Sequence, residues 1–137
     1  MERADTVNFR DLTTRVRFWA YVRYSDDAVG LAFFNDWERL PSADRKEIEI
    51  YMGKEDARAL LDALRRATAF EPSASDQVAT VTFADVDTGE ATSITVHHDA
   101  RSVRLHLCNQ DDGEVAVVMR LKDMQALIAA LQTAVAL

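Results

Sequence analysis

Residues 47–70, EIEIYMGKEDARALLDALRRATAF, and residues 114–137, EVAVVMRLKDMQALIAALQTAVAL, align without a gap at a spacing of 67. Glu47/Glu114, Met52/Met119, Asp56/Asp123, Leu60/Leu127 and Leu64/Leu131 are identical, and four alanines coincide. In each copy a short alternating run gives way to apolar residues three and four positions apart, the passage from a strand to an amphipathic helix. Two copies of one strand-helix unit, each with an apolar face to bury, constrain the architecture more tightly than any other feature of the chain.

The strands that precede each copy follow from alternation and turn chemistry. From Arg15 to Tyr24, Val16, Phe18, Ala20, Val22 and Tyr24 share one face and Arg15, Arg17, Trp19, Tyr21 and Arg23 the other. A strand at about 29–37 follows a two-residue turn at Asp26-Asp27, which sets Val22 opposite Leu31 and Ala20 opposite Phe33. Pro41 places 38–45 in a loop, and strand 46–52 then turns Ile48, Ile50 and Met52 inward ahead of a helix over 54–69 with Ala57, Leu60, Leu61 and Leu64 on its stripe. After a linker at 71–76, four further strands are expected. A Thr88-Gly89 turn sets Val81 opposite Val96 and Phe83 opposite Ile94. A turn around 99–102 sets Val96 near Leu105, and a turn over 109–113 sets Leu107 opposite Val115 and Leu105 opposite Val117. The last helix, 122–136, presents Met124, Leu127, Ile128, Leu131 and Val135. Residues 1–12 read as a flexible or short helical lead, unless 5–12 supply the strand that the first repeat otherwise lacks.

The expected fold is therefore α+β: two tandem antiparallel β-meander-plus-helix repeats, each sheet covered on one side by its own helix. With 137 residues and 48% hydrophobic content the chain suits one core. A single domain over 1–137 is expected, with repeat one at about 13–70 and repeat two at about 77–137. A meander whose last strand runs straight into a single amphipathic helix, duplicated in tandem at 47–70 and 114–137, resembles the Whirly and PUR-repeat proteins. That resemblance implies sheets that bind single-stranded nucleic acid.

A formal charge of −7 disfavours unspecific attraction to phosphate backbones or anionic lipid. Cys108 is the sole cysteine, so an intramolecular disulfide is excluded and a reducing, cytoplasmic setting is expected. The opening MERADTVNFRDL has no signal-peptide core, and no stretch approaches the ~20 apolar residues of a membrane span.

The stripe Arg15, Arg17, Trp19, Tyr21 and Arg23, with Phe34 across from Trp19, is the sharpest candidate site. Rings and guanidinium groups in alternation are what single strands bind, and Trp, Tyr and Arg are equally the usual anchors of protein interfaces. A third reading is a face covered by residues 1–12. The register sets Arg17 beside Asp36 and Arg15 beside Glu38, and counter-charged arginines favour a protein partner or self-association, with single-stranded nucleic acid as the alternative. His97, His98, His106 and Cys108 cluster in sequence, but His98 faces away from His97 and the others do not converge, so no metal site is expected. Asp56 and Asp123 sit where carboxylates favour a helix N-terminus. Ser93 and Cys108 lack an oriented base, and no cofactor motif is present, so neither catalysis nor a cofactor is expected. Acidic residues at turns and strand ends, Glu47, Glu49, Asp85, Asp87, Glu90, Asp99, Asp111 and Asp112, are placed for a basic partner to read. The composite is a non-enzymatic interaction protein of the inhibitor, immunity or adaptor type.

Overall fold

A computed structural model of the chain describes residues 1–69, 77–98, 101–110 and 113–136. The linker 71–76 and the tips of the last two turns lie outside the described residues. In order, the elements are β1 (Glu2–Arg10), β2 (Arg17–Tyr24), β3 (Ala28–Asn35), β4 (Glu47–Gly53), α1 (Lys54–Thr68), β5 (Gln77–Ala84), β6 (Ala91–His98), β7 (Ser102–Asn109), β8 (Gly113–Arg120) and α2 (Leu121–Ala136). The strands form two four-stranded antiparallel sheets, β1-β2-β3-β4 and β5-β6-β7-β8.

Residues 1–12 are not a flexible or helical lead. Val7 and Phe9 point into the core while Thr6, Asn8 and Arg10 point out, and this alternation makes β1 the edge strand beside β2. Phe9 stacks on Phe18 at 5.7 Å and meets the Phe33 ring edge-on at 6.2 Å. The first repeat therefore begins at β1 and has four strands like the second.

The β2–β3 register is as the turn chemistry predicts: Val22 faces Leu31, Ala20 faces Phe33, and Ser25 N–H donates to Ala28 O across Asp26-Asp27. The expected β7 pairings also hold, with Val96 opposite Leu105, Leu107 opposite Val115 and Leu105 opposite Val117. The β5–β6 register differs by two residues, since Val81 faces Ile94 and Phe83 faces Thr92. The reason is the turn. Asp85 N–H bonds Glu90 O and Gly89 N–H bonds Asp85 O, closing a wider loop that ends on Gly89 at φ +76 instead of a two-residue Thr88-Gly89 turn. A shift of two preserves which face is apolar, so the core side was unaffected.

That loop has a counterpart. Asp11 N–H bonds Val16 O and Arg15 N–H bonds Asp11 O, and Arg15 sits at φ +66 where the other loop has Gly89. Asp11/Asp85, Thr14/Thr88, Phe9/Phe83 and Asn35/Asn109 all stand 74 apart, whereas the strand-helix units stand 67 apart. Since 74 less 67 is seven, the β3–β4 connection of the first repeat is seven residues longer than its equivalent.

The helices are exchanged between the sheets. α1 lies mainly across β5 and β6, and α2 mainly across β1 and β2, with the two helices packed on each other. This corrects the expectation that each helix covers its own sheet. β4 and β8 run into their helices without a loop, so neither helix has the chain length to reverse over the sheet it leaves. The paired apolar faces meet in a common core. Ala20, Val22, Phe33, Ile48, Ile50, Met52, Ile94, Val96, Leu105, Leu107, Val117 and Met119 from the strands meet Leu60, Leu64, Leu127 and Leu131 from the helices. Each such Leu or Ile contributes about 1.5–3 kcal/mol by leaving water.

Two buried carboxylates fasten the exchange. Asp11 Oδ1 accepts Val118 N–H at 2.7 Å and Asp85 Oδ2 accepts Tyr51 N–H at 2.9 Å, while Leu12 N–H donates to Val118 O and Val86 N–H to Tyr51 O. Tyr51 and Val118 are themselves 67 apart. Each repeat thus clips the last strand of the other at the same position.

Candidate functional site

The outer face of the first sheet is laid out in rows by the strand register. Asn8, Trp19, Phe34 and Glu47 form one row; Thr6, Tyr21, Ala32 and Glu49 the next; Arg23, Gly30 and Tyr51 a third, with Arg3 beside Arg23. β1 lies in the plane of the sheet, so residues 1–12 do not cover this face. Along it, arginines occupy the β1–β2 side, rings the centre and glutamates the β4 edge.

The rings stack. Trp19 and Phe34 lie 5.5 Å apart at 16°, Tyr21 and Phe34 5.1 Å apart at 20°, and the Arg3 guanidinium lies 4.7 Å from the Tyr21 ring centre. Arg3, Tyr21, Phe34 and Trp19 make one continuous stack on the outer face of the sheet, its rings half-buried. Beside it a shallow depression of 110 Å³ is floored by Gly30 and Ala32 and walled by Tyr21, Glu49 and Tyr51. Gly30 makes room for the Tyr51 ring, because a Cβ would come within 2.8 Å of Tyr51 Cε1 and displace it. The Tyr51 hydroxyl donates to Glu49, and burial first, then this hydrogen bond, pushes its phenol up to about 12.

Two arginines stand differently from expectation. Arg15 belongs to no strand: β2 begins at Arg17, and Arg15 occupies the left-handed position of the preceding loop, its carbonyl accepting from Arg10 Nη1. It is not paired with Glu38. Arg17 Nη1 donates to Asn8 Oδ1 at 3.1 Å, and Asp36 forms its ion pair with Arg39 at 3.6 Å, so Arg17 is not neutralised by Asp36. Both departures follow from β1, which occupies the flank of β2 away from β3. Trp19, Tyr21, Arg23 and Phe34 do share the face as expected.

Residues that the alternation of β2 alone does not reveal are Arg3, Tyr51 and Trp37. Arg3 and Tyr51 come from the neighbouring strands. The strand expected to reach residue 37 stops at Asn35, whose side chain turns to hold the following loop: Oδ1 accepts Lys46 N–H at 2.9 Å and Nδ2 donates to Asp44 O at 2.8 Å. Trp37 is 43% exposed, with its indole N–H on Lys46 O at 3.4 Å.

The equivalent face of the second sheet is of another kind. Ser93, Thr95 and Cys108 stand 74 residues from Trp19, Tyr21 and Phe34, and Ser93 pairs with Cys108 across β6–β7. His106 pairs with Glu114 at 3.3 Å. Among the described residues no group of three His, Cys, Asp or Glu side chains could hold a metal ion. No described helix is long and apolar enough to cross a membrane. No protein-family model matches the chain, and no curated protein matches it by sequence.

Proposed function

We propose that the chain is a non-enzymatic binding module of the inhibitor, immunity or adaptor type, which engages another protein or a second copy of itself through Trp19, Tyr21 and Phe34. The observation that carries this reading is the stack itself. Base-stacking platforms offer ring faces to the ligand, whereas here Phe34 is stacked on both Trp19 and Tyr21, and Tyr21 carries Arg3. The result is an amphipathic ridge of mutually stacked rings with cations on one flank and carboxylates on the other, the anatomy of a protein hot spot. The divergence of the two outer faces over a shared core supports a dedicated role for the first. The lone cysteine supports action in a reducing, cytoplasmic setting.

A second reading, single-stranded nucleic-acid binding of the kind the Whirly and PUR resemblance implies, is favoured by one observation. Arg10 pairs with Arg17 and Arg3 with Arg23 across β1–β2, two cationic pairs flanking Trp19 and Tyr21 without the expected acidic neutralisation.

Co-purification followed by mass spectrometry, with sedimentation for self-association, tests the two together. Trp19→Ala weakens protein association by about 2 kcal/mol or more and Arg17→Ala by less, as a solvent-screened rim charge. Oligonucleotide binding that falls steeply with salt and is lost in an Arg3/Arg17/Arg23 triple alanine variant installs the second reading instead.

A further inference from the structure

Between the aromatic stack and the root of the β3–β4 loop runs a groove of 500 Å³, lined by Trp19, Phe34, Asp36, Trp37, Glu38 and Glu47. We propose that this groove receives an arginine side chain of a basic segment in the partner protein. The inference rests on the protein-contact reading above and specifies the partner's chemistry.

The argument starts from the loop. The second repeat closes the equivalent connection with seven fewer residues, and the extra length in the first carries Trp37 and Glu38 to the rim of the sheet. The buried Asn35 fixes where that loop leaves the strand, and the indole N–H of Trp37 is tied to Lys46 O. Trp19, the end member of the ring stack, lines the same groove. Two indoles with carboxylates beside them are a receptor for a planar cation: the guanidinium lies flat on the rings while its N–H groups pair with carboxylates.

Charge points the same way. None of the lining residues is basic. Asp36 is half-buried and is engaged at 3.6 Å only by the exposed Arg39, a loose pair that a bound ligand readily replaces. Glu38 and Glu47 are exposed and make no ion pair among the described residues. The volume lies within the 300–1,000 Å³ typical of ligand pockets, ample for one long side chain.

The chain has two tryptophans, Trp19 and Trp37, and both line the groove, so tryptophan emission reports on this place alone. The intact protein is titrated with blocked tetra-arginine, with blocked tetraglutamate as control. A saturable emission change with tetra-arginine, absent with tetraglutamate, is the expected result. Glu38→Gln/Glu47→Gln weakens it about tenfold or more, the scale of a lost charge-assisted contact. Glu55→Gln/Asp62→Asn removes as much charge from α1 and leaves it unchanged. Equal losses in the two double variants, no saturable change with tetra-arginine, or preferential quenching by an oligothymidylate overturns the inference. Should the partner's association survive Glu38→Gln/Glu47→Gln but not Trp19→Ala, the groove assignment fails while the contact-face reading stands; if Trp19→Ala is also silent, that reading fails separately.

Discussion

The carboxylate of Asp11 accepts the backbone N–H of Val118 at 2.7 Å, joining the first loop of the chain to its last strand. Asp85 repeats the contact on Tyr51. Both aspartates are buried and both also hold their own loops, Asp11 through Thr14 N–H and hydroxyl, Asp85 through the N–H groups of Asp87 and Thr88. Removing either leaves a strand N–H inside the protein without its acceptor. Asp11→Ala and Asp85→Ala each lower stability by about 1–3 kcal/mol in urea melts, and Asp→Asn by less because the amide oxygen still accepts. Losses within ordinary surface scatter, ~0.5 kcal/mol, for both alanine variants mean that the clips are not energetically coupled to the fold.

The two loops differ in the residue at the left-handed position. Arg15 adopts φ +66 with a Cβ, where its equivalent Gly89 at φ +76 has none. Arg15→Gly raises stability and Gly89→Ala lowers it by about 1 kcal/mol, opposite signs at equivalent positions. Thermal unfolding of the two variants side by side checks the equivalence of the loops; like signs refute it.

Exchange of the helices sets which strands feel a core substitution. Leu64→Ala and Leu131→Ala each remove a fully buried side chain and cost about 2–5 kcal/mol. The effect is displaced in space: Leu131→Ala increases amide exchange chiefly in β1 and β2, and Leu64→Ala chiefly in β5 and β6. Exchange rising instead in the sheet that leads into the mutated helix contradicts the arrangement.

Tyr51 makes stability depend on alkaline pH. Its phenol is raised to about 12 in the folded protein against about 10 in an unfolded chain. Its contribution is complete below pH about 10. As pH rises from about 10 to about 12 the unfolded chain loses this proton and the folded chain keeps it, so stability falls. Tyr51→Phe flattens that fall. Glu49→Gln lowers the Tyr51 midpoint in a phenolate absorbance titration, yet leaves it above 10 because burial is the larger cause. A midpoint unmoved by Glu49→Gln removes the Tyr51–Glu49 bond from the account.

Where local chemistry determines an element, the sequence could be read directly. Asp26-Asp27 set the β2–β3 register, and the stack of Trp19 on Phe34 came with it. β1 is only weakly marked in the sequence: Val7 and Phe9 alternate with Thr6, Asn8 and Arg10, but an apolar side with only two large residues leaves a strand over 5–12 as an alternative to a lead. The Thr88-Gly89 turn misled because glycine signals a positive φ without saying how many residues precede it; Asp11-Leu12-Thr13-Thr14 and Asp85-Val86-Asp87-Thr88 together carried the missing information at a spacing of 74. Helix exchange had no local sign, since the stripe of Leu60 and Leu64 states that a face is buried and not which sheet buries it. Trp37 gained its place only through Asn35, whose two hydrogen bonds span the loop.

The crossing of α2 onto β1 and β2 also orders events in time. During synthesis the first sheet is complete once β4 has left the ribosome, yet the helix that covers most of its apolar face is made only after the whole second sheet, so Phe9, Ala20 and Val22 wait in water for residues 121–136. Contacts across most of the chain make such closure slow, and until it happens the nascent protein presents a flat, aromatic-rich surface that chaperones or a second nascent copy can seize.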